Sequence, residues 1–287
     1  MSISQKTPGR SGLKEEFADK WHRLDPCERK FYIRGVPATQ KQWIFRQYWE
    51  FIARRLPTRP DGLLCLEVGA GRGTMSLYLT EAGYRCILLD TSPEALEMAR
   101  RNFESEGMKA DFAQTAAEAL GVRTASVDIA GTLGLLEHSE DVRPPLVEMA
   151  RVLKPDGVLF SLNIPGKAIS ANLLSRPYNL TMVQLRRLSR FRTTFARWRS
   201  GDYHREYRNR LSPEEYRVAA LSAGFSDAVC VGVNPVPTFQ PVPAWTGRVL
   251  AALYQRVLGL RRALLRREEP FVTSFFWGRD HFLMARK

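Results

Sequence analysis

The sequence lacks the features that would anchor the chain across a membrane or cross-link it. None of its 287 residues falls in an apolar run of eighteen or more, so no transmembrane helix is expected. The opening stretch "MSISQKTPGRSGLKEEF" has no apolar core of the kind that secretory signals carry. The four cysteines are scattered without a C-x-x-C pair, which argues against a disulfide framework or a zinc site. We therefore expect reduced thiols and a cytoplasmic location.

Acidic residues are scarce in only one part of the chain. The formal net charge is +13, and residues 166–267 hold 18 Lys/Arg against 5 Asp/Glu. The rest of the chain carries 25 residues of each sign. The basic excess therefore belongs to one later segment and not to the protein as a whole.

Apolar runs of strand length alternate with helical patterns from residue 63 onward. The stretches 63–68, 85–90, 110–114, 126–133 and 158–163 are predicted strands, and 74–82, 92–106 and 142–153 are predicted helices. Near-continuous apolar strands separated by helices favour a parallel sheet that is covered on both faces. Two helical patterns, 13–34 and 38–56, precede this region.

The stretch "LEVGAGRG" after the first strand places Gly69, Gly71 and Gly73 at alternate positions. A dinucleotide fingerprint requires glycine at position 74, which is Thr74 here, and no Lys follows as in a phosphate loop. The pattern suits a ligand without a pyrophosphate, one with an amino-acid moiety and a ribose. Asp90 ends the next strand, where a carboxylate can accept hydrogen bonds from two ribose hydroxyls.

At these residues the chain resembles the class I S-adenosylmethionine-dependent methyltransferases, and in particular the small-molecule group similar to ubiquinone-biosynthesis methyltransferases. "QTAAEAL", "VDIAGTLGLLEHSED" and "EMARVLKPDGVLFSLNIPG" follow in the family's order. The resemblance implies an α/β fold: a doubly wound, mostly parallel seven-stranded sheet with an antiparallel last strand, an N-terminal helical cap and helical insertions. It divides the chain into a flexible 1–12, a cap 13–56, a cofactor core 57–165, a basic acceptor-side insertion 166–210, a core continuation 211–233, a basic amphipathic insertion 234–270 and the last strand 271–287.

The resemblance also implies S-adenosyl-L-methionine as the cofactor, together with the residues that would bind it. Those residues are Glu67, Gly69, Ala70, Gly71, Gly73, Asp90, Thr91, Ala116, Ala117 and Leu133. The family's usual acid after the third strand is replaced by Ala116, which leaves backbone donors there, with Ala117 as the first candidate.

For the chemistry, His138 at the exit of the fourth strand is the candidate base, and a structural hydrogen-bonding role is its alternative. Glu137 is interpreted as a structural or helix-start acid. Gly134, three positions earlier, argues against a metal site, so none is expected. Tyr203, His204 and Tyr207 are candidate substrate contacts, or else part of an exposed connector.

The two basic insertions each contain an amphipathic helical pattern. In the second, Val249, Leu250, Leu253, Val257, Leu260 and Leu264 share one face. Three interpretations stay open: packing onto the core, contact with an anionic membrane surface, and binding of nucleic acid. We rank the membrane above nucleic acid, since no Asn/Asp-Pro-Pro-Tyr/Phe turn or RNA-binding motif is present.

The sequence thus predicts a methyltransferase that acts on a small-molecule or lipid-like acceptor, with O- or C-methylation favoured. An RNA methyltransferase and a non-catalytic cofactor-binding module are the alternatives. The cap aromatics Trp21, Tyr32, Trp43 and Tyr48 are expected either to cover the cofactor or to lie in the core.

Overall fold

The computed structural model describes residues 31–57, 60–164, 208–238, 244–266, 268–275 and 277–287. The helices are α1 Gln40–Ala53, α2 Thr74–Glu81, α3 Pro93–Ser105, α4 Arg143–Val152, α5 Pro213–Ser222 and α6 Ala244–Leu265. The strands are β1 Leu64–Val68, β2 Arg85–Asp90, β3 Asp111–Gln114, β4 Val127–Leu133, β5 Leu153–Asn163, β6 Asp227–Val233, β7 Val272–Thr273 and β8 Asp280–Arg286.

The strands form one sheet in the order β3-β2-β1-β4-β5-β8-β6-β7. Strands β1 to β5 are parallel, and β8 lies antiparallel between β5 and β6. After β1 the chain adds β2 and β3 on one side, then crosses to β4 on the other. The loops that leave β1 and β4 therefore diverge and open a crevice at the carboxyl ends of these strands.

The sheet has eight strands, so the prediction of seven is wrong. The additional strand β7 pairs antiparallel with Gly232 and Val233 at the sheet edge. The chain leaving α6 returns along this edge before it enters β8, and Phe271 accepts a hydrogen bond from the backbone of Asn234. Pairing there satisfies backbone groups that would otherwise be buried without partners.

Apolar side chains pack on both faces of the sheet. One cluster joins the sheet to α1, α2, α3 and α6, and the other joins it to α4 and α5. The core helices begin as their sequences predict: Ser92 caps α3 ahead of Pro93, and Ser212 forms a capping box with Glu215 at α5. These local signals determine where α3 and α5 begin.

The predicted first helix, 13–34, lies mostly outside the described residues, and its last residues, 31–34, are not helical. Gly35 and Pro37 follow immediately and oppose helix continuation. The guanidinium of Arg46 donates to the backbone carbonyls of Ile33 and Gly35, which holds this segment against α1. Helix α1 itself starts at a capping box formed by Thr39 and the residue three positions later.

A buried polar network ties α1 to β8. The hydroxyl of Tyr48 donates to Asp280, and Arg279 forms an ion pair with the same carboxylate at 2.9 Å. Arg279 also donates to Thr238 at 3.0 Å, in the segment that leads into α6. The network therefore fixes the cap helix and the start of the second insertion to the last strand.

The apolar face predicted for the second insertion does not pack onto the core. Helix α6 instead buries Ala251, Tyr254 and Leu258, while the predicted stripe faces solvent except for the half-buried Leu250. The reason is that α6 carries apolar residues on two faces. The face with the small Ala251 and the large Tyr254 is the one that packs beside α1.

Candidate active site

A cavity of about 400 Å³ opens at the carboxyl ends of β1, β2 and β4. Its wall includes nearly all of the predicted cofactor residues, together with several that the sequence did not single out. The predicted members of the wall are Glu67, Gly69, Ala70, Gly71, Asp90, Thr91, Ala117, Leu133 and His138. The others are Phe31, Lys41, Phe45, Val68, Arg72, Thr74, Met75, Thr115, Gly134, Leu135, Glu137, Ile164 and Arg208.

The glycine turn after β1 takes a left-handed backbone. The φ angles of Gly69, Gly71 and Gly73 are 65°, 53° and 67°. A Cβ on Gly69 would lie 3.0 Å from the side chain of Leu135, so the opposite wall approaches the turn closely. A side chain at this position would therefore be strained and would narrow the crevice.

Asp90 fastens the glycine turn to the end of β2. Its carboxylate accepts a hydrogen bond from the backbone of Gly71 and another from the backbone of Ser92, both at 2.9 Å. Each carboxylate oxygen has lone pairs beyond the one used. Asp90 can therefore hold the turn in shape and still accept hydrogen bonds from a ligand in the cavity.

Glu67 is buried at the base of the cavity and contacts the first turns of α2. One of its oxygens accepts from both the backbone N–H, at 3.0 Å, and the hydroxyl of Ser76. Burial raises the pKa of Glu67 to about 7, and the hydrogen bonds from Ser76 oppose that shift. This part of the cavity thus carries a carboxyl group that titrates near neutral pH.

Two rings and two cations lie above the glycine turn. Phe31 and Phe45 stack with 5.0 Å between ring centroids. Lys41 and Arg72 lie over the ring of Phe31, at 4.8 and 5.2 Å from its centroid. The cap therefore contributes to the cavity through these two aromatic residues. Of the cap aromatics predicted from the sequence, Tyr32 and Tyr48 are in the core, Trp43 packs against it, and Trp21 lies outside the described residues.

The exit of β4 forms the opposite wall, and it brings a short 3-10 helix, Leu136–His138, to the cavity. The side chain of Glu137 is fully buried, and no described side chain donates a hydrogen bond to either of its carboxylate oxygens. Burial raises the pKa of Glu137 to about 7, although its own backbone N–H, the positive charge of Arg208 and the backbone N–H of Ile164 act in the opposite direction. The Nε2 atom of His138 lies 3.9 Å from its Oε1 atom.

Hydrogen bonds from Asn209 fix the position of this short helix. Asn209 donates its side-chain amide to the carbonyls of Leu136 and Ser139, at 2.8 and 3.0 Å. Tyr216 of α5 donates to Asn209 in turn, at 2.9 Å. Burying a carboxyl group to which no described side chain donates a hydrogen bond costs folding free energy, and such groups concentrate at functional sites.

Two predicted cofactor residues do not line the cavity. The Cα of Gly73 faces Leu88 and Phe103, where an added Cβ would lie 2.7 Å from the Leu88 side chain. Ala116 pairs with Ala119 in a tight turn, and its neighbours Thr115 and Ala117 reach the cavity instead. The predicted substrate contacts Tyr203, His204 and Tyr207 lie outside the described residues.

The carboxyl groups at the glycine turn suit a cationic amino-acid ligand better than a diphosphate. Three carboxyl groups, those of Glu67, Asp90 and Glu137, reach the cavity, and a diphosphate at the turn would face the first two, although Arg72 in the turn and Lys41 and Arg208 on the wall add positive charge. Within the described part of the chain, no cluster of three or more metal-ligating side chains occurs. No described helix is long and apolar enough to span a bilayer.

The strand order, the glycine turn after β1 and the acid at the end of β2 together define a Rossmann-like methyltransferase fold. The family comparison agrees: residues 66–161, from β1 to β5, match the model of the "Methyltransferase domain" family. Residues 66–161 are therefore similar to a methyltransferase domain, as the resemblance in the sequence predicts. This family and fold imply S-adenosyl-L-methionine as the cofactor.

Curated relatives share part of the chain. The ubiquinone biosynthesis O-methyltransferase of Methylocella silvestris is 31% identical over 143 residues, which cover 50% of this chain and 54% of the relative. The chain thus spans about half the length of the curated relatives it matches.

Solved structures agree on the fold. A methyltransferase from Thermotoga maritima, described as a possible histamine N-methyltransferase, has a TM-score of 0.53 at 17% identity, over 96% of this chain and 99% of that one. The [4+2]-cyclase SpnF has a TM-score of 0.52 at 16% identity, over 96% and 92% of the two chains. One fold therefore accompanies differently named activities, and the reaction must be argued from the site.

Proposed function

We propose that this protein transfers a methyl group from S-adenosyl-L-methionine to an oxygen atom of a small or lipid-like acceptor. The observation that carries the proposal is the cavity itself. Asp90 and the glycine turn form one side of it, and the buried carboxyl group of Glu137 lies on the other. The names of the curated relatives support an oxygen acceptor, although the shared part is only about half of their length.

When bound, the cofactor supplies a methyl group on a positively charged sulfur. In the proposed arrangement Asp90 accepts hydrogen bonds from the ribose, and Glu67 faces the amino-acid end. The glycine turn allows close approach, while Phe31 and Phe45 exclude water from above. The exit of β4, which carries Glu137 and His138, forms the facing wall.

The acceptor would enter beside Glu137 and His138. Methyl transfer to a hydroxyl acceptor requires the hydroxyl proton to leave its oxygen. Glu137 is suited to receive it, because no described side chain competes for its carboxylate with a hydrogen bond and its pKa of about 7 lies near neutral pH. His138 is the second candidate for the same proton, and its 3.9 Å separation from Glu137 allows the two to act as a pair.

The proposal is tested with radiolabelled S-adenosyl-L-methionine and a cell extract separated into aqueous metabolites, lipids and RNA. Label is expected in the metabolite or lipid fraction. Mass spectrometry of the labelled product would then show whether oxygen or carbon is methylated. The Glu137→Gln variant is expected to lose about 100-fold or more of the rate, while its affinity for S-adenosylhomocysteine stays the same.

Two controls separate the alternatives. Glu118→Gln changes an exposed carboxyl group outside the cavity and should leave the rate unchanged. His138→Gln shows whether His138 or Glu137 receives the proton. Label in RNA alone would favour the RNA methyltransferase, whereas cofactor binding without label in any fraction would favour a non-catalytic module.

A further inference from the structure

We propose that α6 docks the protein on the surface of an anionic lipid bilayer. The contact is made by the α6 stripe, which we define as Val249, Leu253, Val257, Leu260 and Leu264. These five side chains are between 39% and 72% exposed, and they recur at three- or four-residue intervals for most of the helix length. Apolar stripes of this length are rarely left in water without a partner.

The stripe stays exposed because a different face of α6 already holds the helix in place. Ala251, Tyr254 and Leu258 are buried in the core cluster, and the hydroxyl of Tyr254 lies 3.4 Å from the side chain of Asn234. Near the end of the helix, Arg261 donates to the carbonyl of Pro270 at 2.9 Å. The stripe is therefore presented on a fixed support and is not needed for the packing of this helix.

The charge of α6 indicates the chemistry of its binding partner. The helix contains no Asp or Glu, and Arg248, Arg256 and Arg262, followed by Arg266 just after its end, are exposed. At about 100° per residue Arg256 adjoins the stripe, Arg248 and Arg266 lie about 100° from its edge on the solvent-facing surface, and Arg262 lies farther round, toward the packed face. An apolar strip beside a basic strip is the arrangement of helices that lie in the headgroup region of a membrane. Arginine side chains at that depth can reach the lipid phosphates.

Other occupants fit less well. A second copy of the chain would bring a second set of arginines against the first. Residues 166–207 hold nine Lys/Arg against two Asp/Glu. If that segment covered the stripe, it would also bring positive charge next to the arginines of α6. RNA would account for the arginines but would leave the leucines of the stripe in water. An anionic bilayer accounts for both strips.

The position of α6 connects this surface to the cavity. Helix α6 packs beside α1, and α1 contributes Lys41 and Phe45 to the cavity wall. The side-chain amide of Gln40, at the start of α1, donates to the carbonyl of Pro237 at 2.7 Å, in the segment that precedes α6. A docked protein would thus hold the cavity near the lipid surface, which suits a lipid-like acceptor. Only this last step rests on the proposed function.

The test is co-sedimentation of the full chain with vesicles, without cofactor. One set of vesicles is pure phosphatidylcholine, and in the other about a third of the lipid is phosphatidylglycerol. We expect binding to the second set, with little binding to the first. Replacing Arg248, Arg256 and Arg266 by Gln should lower the partition coefficient about 100-fold. None of these three has an ion pair with a described residue.

The stripe is tested by Leu253→Gln, Leu260→Gln and Leu264→Gln together, which should lower partitioning about 10-fold or more. Glutamine keeps helix propensity, and all three sites are exposed, so the melting temperature should stay close to that of the parent. The matched control is Val218→Gln, which changes an equally exposed apolar side chain on α5 and should leave partitioning unchanged.

Three results would overturn the proposal. The first is equal binding to both vesicle types, or unchanged binding of both variants. The second is a dimer in lipid-free solution that the stripe variant converts to a monomer, since the stripe would then be a protein interface. The third is RNA binding that only the arginine variant loses, with vesicle binding unchanged in the stripe variant. Because no cofactor is present, failure here is independent of the methyl-transfer experiment.

Discussion

Replacement of Glu137 by glutamine should make the protein more stable at alkaline pH while it removes activity. Burial moves the pKa of this carboxyl group from 4.5 to about 7. At 1.36 kcal/mol per pKa unit, that shift corresponds to a cost on the order of 3 kcal/mol for ionising the group in the folded state. The side chain is fully buried, so solvent screening does not reduce the figure greatly.

The pH dependence follows from which state holds the proton. Below about pH 4.5 the carboxyl group is protonated in both the folded and the unfolded chain, and it adds no pH dependence. Between about pH 4.5 and 7 the unfolded chain loses the proton while the folded chain keeps it, so stability falls as pH rises. Above pH 7 both states are ionised, and the full cost of about 3 kcal/mol is present.

The assay is urea unfolding of the parent and of Glu137→Gln at pH 5 and pH 8, read as the difference in unfolding free energy. The difference should shift in favour of the variant by up to about 3 kcal/mol between the two pH values. Glu67 has a pKa shifted in the same direction, but it is present in both proteins and cancels. A difference that is the same at both pH values would refute the reasoning, as would a larger shift in the surface control Glu118→Gln.

Three further substitutions test other parts of the account. Asp90→Ala removes a carboxylate that supports the glycine turn and the ribose, and should weaken cofactor binding about 100-fold in calorimetry; an unchanged affinity would contradict the ribose assignment. Gly73→Ala should lower the free energy of unfolding by about 2 to 3 kcal/mol in urea unfolding. The loss should exceed that of Gly107→Ala, where φ is a similar 66° but the added Cβ has open space around it. Equal losses would show that the contacts of the added Cβ do not affect stability. Tyr48→Phe removes a donor from the buried carboxylate of Asp280 and should lower stability by about 1 to 2 kcal/mol, with no loss if the network is unimportant.

The sheet and its cavity could be predicted because their signals are local. Strands β1, β2, β4 and β5 contain apolar runs bounded by turn residues, and α3 and α5 carry their own capping residues. Since the carboxyl ends of neighbouring parallel strands meet, Asp90 had to lie beside the glycine turn. The hydrogen bond from Gly71 to Asp90 shows that they do meet.

Other features depend on distant parts of the chain and could not be predicted. Strand β7 has two residues, which is too short for a periodic pattern. Helix α6 has two apolar faces, and the sequence does not tell which one fits the groove beside α1. Tyr254 and Leu258 are buried in the core with Ala251, while the leucines of the stripe remain exposed.

The proposed role of Glu137 also could not be predicted from the sequence, which indicates a structural or helix-start acid. An acid beside a histidine in a short loop is typical of a structural role, and nothing local shows that its carboxyl group is buried at the cavity. The observation depends on burial beneath residues from several elements, Ile164 and Arg208 among those at the cavity wall. The signal that could have found it is the position of "EH" directly after a strand that ends at the crevice.

The most direct test of the central claim is a crystal structure of the protein bound to S-adenosylhomocysteine. The account predicts both ribose hydroxyls within hydrogen-bond distance of Asp90, the amino-acid end beside Glu67, and the sulfur facing the exit of β4, where Glu137 lies. A crevice that stays empty at saturating ligand, or one that binds a dinucleotide with its diphosphate on the glycine turn, would contradict the account.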